Sequence, residues 1–211
     1  MVMYSFTVIL QHVLIGFSMA FLGLLSPGLL TMTTLSTAAE RGVKAGIYFA
    51  FGAIFPIIIQ AHIALLGAEY LKIHPEIIKS FTDVAVFVFL ILAIVFYYQY
   101  NNRNKSSSTR LNIHNSFVFG VIISLINPMA IPFYFTYSTL LEMQDLLILK
   151  QPLVSFFVAG AILGAFLALS IYAANARKLF GRFQLFAKHF KLLLAILMFI
   201  LSLLSLYKSI Q

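Results

Sequence analysis

The 211-residue chain is 62% hydrophobic and 9% charged, with a mean hydropathy of +1.00. A soluble domain carries about 25% charged residues, so this is an integral membrane protein with no soluble domain left over. Its +8 net charge is then read as membrane topology and not as nucleic-acid affinity. The chain has no cysteine, which excludes thiol redox chemistry, thiolate metal sites and disulfides.

From Met1 to Ala39 there is no charged side chain, and no Lys or Arg precedes Arg41. The basic segment that opens a cleavable signal peptide is therefore missing, and the first apolar run reads as a permanent span. A helix needs about 20 apolar residues to cross ~30 Å of hydrocarbon. Apolar windows at 8–37, 45–68, 80–101, 115–141, 152–175 and 190–208 predict six transmembrane helices. The charges gather between these windows. Ten basic residues fall on the odd-numbered connections, from Arg41 and Lys44 through Arg103, Lys105 and Arg110 to Arg177–Lys191; Lys72, Lys79, Lys150 and Lys208 fall opposite. Basic residues favour the cytoplasmic side, which predicts cytoplasmic odd-numbered connections and both termini outside.

Within the first window lies GLLSPGLLTMTT, residues 23–34, where Pro27-Gly28 interrupts a segment otherwise suited to lipid. Pro27 cannot donate to the Gly23 carbonyl, and in the fourth window Pro128 cannot donate to that of Ser124; Pro132 similarly frees the carbonyl of Pro128. Unsatisfied backbone is tolerated at membrane depth only against protein or a wetted cavity. Thr31 and Thr34 share a helical face beside the first break, and Asn127 supplies an amide beside the second. The ordinary alternative is a kink whose carbonyls are met by nearby Ser or Thr hydroxyls.

Ser26-Pro27-Gly28 superposes on Asn127-Pro128-Met129 when the chain is slid upon itself, and FGAIF (51–55) then falls near AGAIL (159–163). Three spans per half is an odd number, so the second half must be inverted. The expected fold is therefore all-α and integral to the membrane. It has six transmembrane helices as two inverted three-helix repeats, with broken first and fourth helices. Its parts are a first repeat at 1–102, a polar Ser-rich cytoplasmic linker at 103–110 and a second repeat at 111–211.

Other polar residues carry weaker signals. His62 lies about 25 Å along the second span, counted from Ala45 at ~1.5 Å per residue; it is an interfacial residue or a proton relay, with Gln60 nearby. Tyr134, Tyr137, Tyr172 and Asn175 line a path or anchor the interface, and Tyr97, Tyr98 and Tyr100 read as an inner aromatic belt. Gly46, Gly52, Gly160 and Gly164 have the character of close-packing positions. The segment 177–191 interleaves four phenylalanines with basic residues. It is either an amphipathic helix on anionic headgroups or a plain positive-inside loop. No carboxylate lies in the middle of any span, the five histidines are scattered, and there is no phosphate-binding loop. No cofactor or metal site and no enzyme chemistry is expected.

The pattern S-P-G-L-L-T-M-T-T, then E-R-G-V-K-A-G-I-Y-F-A-F-G-A, then G-V-I-I-S-L-I-N-P-M-A-I-P-F resembles the LysE/RhtB translocator family from about Gly16 to the last span. The resemblance implies an inner-membrane exporter of amino acids or related metabolites driven by an ion gradient. The family's P-G-P is here Pro27-Gly28-Leu29, and its N-P-K is Asn127-Pro128-Met129, which marks a divergent member. The function expected is a secondary exporter of a small polar solute by alternating access, with Pro27, Gly28, Thr31, Thr34, Ser124, Asn127 and Pro128 at the binding site and His62 as proton relay. An ion or metal translocator of a related branch and a non-transporting scaffold stay open as alternatives. Expected partners are the solute and the bilayer, with self-association of copies left open and no nucleic acid.

Overall fold

The structure is a computed structural model that describes the backbone of residues 4–74, 78–101 and 115–210, and side chains within these except 78–85, 99, 180–191 and 208–210. The linker expected at 103–110, and the Phe180–Lys191 side chains of the basic segment, lie outside the described residues. All described elements are α-helices: α1 (Phe6–Gly23), α2 (Leu29–Arg41), α3 (Val43–Ile73), α4 (Ile78–Asn101), α5 (Ser116–Leu125), α6 (Ala130–Met143), α7 (Leu153–Ala174) and α8 (Ala176–Ile210).

Three helices are long and apolar enough to cross a membrane, namely α1, α3 and α7; α5 and α6 make a fourth if their pair, bent by 60°, counts as one span. Shorter apolar stretches occupy Val86–Tyr98 in α4 and Leu192–Tyr207 in α8. The window expected at 8–37 divides in two, because the helix stops at Gly23 and restarts after Pro27-Gly28. At about 1.5 Å per residue the 18 residues of α1 reach ~27 Å, most of a bilayer core by themselves. The basic stretch beginning at Arg177 is also not a separate connection. The backbone is helical from Ala176 through the last apolar stretch.

Two compact units make up the chain. The first comprises Met1–Glu69 and Arg110–Phe180, the second Tyr70–Thr109 and Gly181–Gln211. In the second, the Ser202 hydroxyl donates to the Val86 carbonyl at 3.0 Å, tying α8 to α4. In the first, α1 lies along α7, and α2 packs on α7 and α5. The core there combines Phe49, Ala53, Ile57, Ala61 and Leu65 of α3 with Val154, Phe157, Ala161 and Ala165 of α7.

Lipid offers no hydrophobic drive for helix association, so close backbone packing must supply it. A Cβ added at Gly16 of α1 would overlap the Phe157 carbonyl of α7, and one at Gly160 would overlap the Val13 carbonyl of α1. The α3–α5 crossing repeats this: Gly120 meets the Phe49 carbonyl, and Gly52 meets that of Phe117. The two crossings correspond residue for residue, since Val13 and Gly16 are as far apart as Phe117 and Gly120, and Phe49 and Gly52 as Phe157 and Gly160. By contrast, a Cβ at Gly28 meets nothing within 4 Å, and its φ of −104° suits any residue. Gly160→Val and Gly52→Val should therefore each lower the melting temperature of the detergent-solubilised protein, by overpacking that costs about 1–3 kcal/mol. Gly28→Ala should melt within about 2 °C of the parent; thermal unfolding followed by size-exclusion chromatography reads both.

Candidate functional site: two chain breaks inside the first unit

The first break runs from Leu24 to Gly28. Proline takes the amide from residue 27, and the chain turns out of the helix, so the carbonyls of Gly23, Leu24, Leu25 and Ser26 lose their usual donors. Each finds another. The Ser26 hydroxyl donates to the Gly23 carbonyl at 2.9 Å, the bond Pro27 cannot make. Thr31 is completely buried, and its hydroxyl reaches back to the Leu24 carbonyl at 3.1 Å and the Ser26 carbonyl at 3.3 Å. The Gly28 amide also donates to Ser26, at 2.9 Å. The Leu25 carbonyl is met from another helix, by the Tyr172 hydroxyl of α7 at 2.6 Å. Pro27 is buried and Gly28 half-buried. Thr34, also completely buried, donates to Leu30 at 2.8 Å within its own helix and does not bond to the break.

The second break runs from Ile126 to Met129. The Ser124 carbonyl, orphaned by Pro128, accepts from the Gln60 side-chain Nε2 of α3 at 3.1 Å and from the Asn127 amide at 3.2 Å. Asn127 is half-buried, and its Oδ1 accepts the Met129 amide at 3.3 Å, which makes the turn into α6. Pro128 faces outward. Pro132 falls in the first turn of α6, where no intrahelical amide bond is owed, so it is a helix-start residue and not a third interruption. Among the described residues none donates to the carbonyls of Leu125, Ile126 or Asn127. Two side-chain atoms beside this break are buried with no partner: Gln60 Oε1 and Ser124 Oγ. Leaving such an atom unmatched costs about 1–3 kcal/mol.

The two breaks share a neighbourhood. A Cβ on Gly23, the last residue of α1, would press on the Phe133 ring of α6, and α2 packs on α5. α2 and α6 both begin without a side-chain cap, at Gly28 and Met129. The C-terminal end of α5, with its partial negative charge, holds Ser124. A side chain at Gly28 would enter open space.

His62 bonds to neither break. Its Nδ1 donates to the Ile58 carbonyl at 2.8 Å, and its Nε2 lies 3.5 Å from the Ser155 hydroxyl, which donates to Gln151 Oε1 at 2.8 Å. His12, completely buried in α1, uses both ring nitrogens on backbone: Nδ1 toward Val8 at 2.7 Å, and Nε2 accepting the Ile148 amide at 3.0 Å. With Gln11, which donates to the Leu146 carbonyl at 3.0 Å, it clamps the segment after α6. Tyr137 is exposed, Tyr134 is buried against Phe133 and Phe157, and Asn175 caps the end of α7 through Ile171. Among the described residues no three His, Asp or Glu side chains cluster as metal ligands would.

Residue type and position alone did not single out Gln60, Ser26 or Tyr172 as partners of the breaks. The available signal for Gln60 was an amide near the middle of a long apolar helix, a placement that is costly unless the group has a partner.

The profile of the LysE type translocator family matches the chain over residues 21–209, a range that contains both breaks. No curated protein and no solved structure matches the chain.

Loss of a donor from another helix should be visible as lost stability. Tyr172→Phe leaves the Leu25 carbonyl without its donor, and Thr31→Val does the same to the Leu24 carbonyl; each should destabilise by about 1–3 kcal/mol. Thr33→Val should stay within about 0.5 kcal/mol, because that hydroxyl only duplicates a helical bond to Leu29. Thermal melts of the purified variants in one detergent provide the comparison.

Proposed function

The chain belongs to the LysE type translocator family, and from that premise we propose that it is a secondary exporter of a small zwitterionic solute, an amino acid or related metabolite. The observation that carries this reading is that side chains of other helices reach the broken backbone at both places. At each break one freed carbonyl is held by a side chain from a helix distant in sequence, that of Leu25 by Tyr172 and that of Ser124 by Gln60. Irregular backbone at membrane depth held in this way is the usual construction of a transporter's binding site.

A zwitterion matches the charges available. Uncapped helix starts at Gly28 and Met129 favour a carboxylate, and the carbonyl-rich end of α5 favours an ammonium. Asn127, with its Oδ1 committed to the turn, turns its amide hydrogens to the solute. Thr31 has a supporting role, since its hydroxyl is committed to the first break.

The matched glycine crossings of α1 with α7 and of α5 with α3 support two inverted halves, with α4 and α8 as their third members and six spans in all. In this reading the halves rock about the breaks in alternating access, coupled to an ion gradient. His62, linked through Ser155 to Gln151, is the candidate proton relay. The protein sits in the inner membrane with both termini outside, and the basic start of α8 rests on anionic headgroups.

Mass-spectrometric profiling of the growth medium tests the proposal. Cells producing the protein should accumulate one or a few zwitterionic metabolites outside, and Asn127→Ala should reduce that accumulation at least about tenfold at normal protein levels. An unchanged medium would oppose the exporter reading; an Asn127→Ala protein that exports normally would remove Asn127 from the site.

A further inference from the structure

The two breaks are chemically unequal. At the first, all four freed carbonyls are met by protein donors. At the second, polar side-chain capacity is left over. Gln60 is 7% exposed and Ser124 0%, yet Gln60 Oε1 and Ser124 Oγ have no partner. The amide orientation of Gln60 is chemically forced. Its Nε2 donates to the Ser124 carbonyl, and a flipped amide would set oxygen against oxygen. Gln60 Oε1 is therefore an acceptor that requires an N–H or O–H donor. Ser124 Oγ lies on the residue whose carbonyl Gln60 already holds, near the electronegative end of α5. Gln60 Oε1 can only accept and the Ser124 hydroxyl can accept as well as donate, so beside a negative helix end the pair suits a cationic donor with several hydrogens better than a carboxylate.

We infer that Gln60 and Ser124 form the subsite that receives the ammonium group of the transported solute. The inference rests on the transport reading above and assigns within it a residue pair and a functional group. Gln60 Oε1 and Ser124 Oγ accept two of the ammonium hydrogens. Both atoms are shut off from solvent in this conformation, so the subsite opens only when α3 and α5 part. The bond from Gln60 Nε2 to the Ser124 carbonyl joins those two helices. The first break, already satisfied by Ser26, Thr31 and Tyr172, serves as a rigid wall.

The test uses proteoliposomes loaded with an equimolar mixture of the common zwitterionic amino acids and the 2-hydroxy acids that carry a hydroxyl in place of the ammonium. Efflux is read by mass spectrometry. The parent protein should favour the amines at least about tenfold, because a hydroxyl brings one hydrogen and no charge where an ammonium brings three charge-assisted donors. Gln60→Leu should bring the ratio to about one. Should Gln60→Leu not fold, Ser124→Ala serves instead: it removes only an unpartnered hydroxyl, and it should lower the ratio in the same direction. If the parent exports without amine preference, or both folded variants keep it, the subsite is overturned while transport stands. If the parent releases neither class, the transport reading fails and the subsite with it.

Discussion

A carbonyl that loses its helical donor inside a bilayer has no water to fall back on, and the rest of this structure follows from how that demand is met. Pro27 and Pro128 create the demand at two places. Ser26, Thr31 and Tyr172 answer at the first place, and Gln60 at the second. Two of these donors come from helices remote in sequence, so each break also acts as a tether between helices. Removal of a donor therefore weakens both the local turn and the packing of α7 or α3 around it.

The tethers work only because the helices already lie close. Gly16, Gly160 and Gly164 bring the α1 and α7 backbones into contact, as Gly52 and Gly120 do for α3 and α5. Small residues at these crossings supply the packing that lipid cannot drive. They also place Tyr172 and Gln60 at the depth where the breaks need them. The two crossings have the same pattern, but the chemistry beside them differs: the first break is saturated, and the second retains acceptors. A scaffold with near-symmetric packing and asymmetric polar groups suits a site that must bind one end of a solute differently from the other.

Much of this was legible in the residues. Proline has the same consequence wherever it stands in a helix, so the orphaned carbonyls of Gly23 and Ser124 followed from composition alone, and both acquire new donors in the structure. The close-packing character of Gly52 and Gly160 was similarly readable. The identity of the donors was not, because Tyr172 lies far along the chain from Leu25, as does Gln60 from Ser124, and periodicity carries no information about such pairs. Hydropathy also missed the end of α1. Leu24, Leu25 and Leu29 are apolar enough to hide a chain break inside one apolar window. At 177–191 the residues left an amphipathic helix and a loop both open, and the backbone is helical from Ala176 onward.

The absence of cysteine from the chain makes the central claim directly measurable. Single cysteines at Gly28 and Asn127, beside the breaks, can be compared with single cysteines at Ile59 and Leu163, which face outward from α3 and α7. Native membranes are treated with a hydrophilic thiol reagent, which needs water and a thiolate to react. Breaks that line a hydrated, protein-enclosed site predict labelling at 28 and 127 and little at 59 and 163. Inert cysteines at 28 and 127, in protein that labels fully once unfolded, would contradict the account.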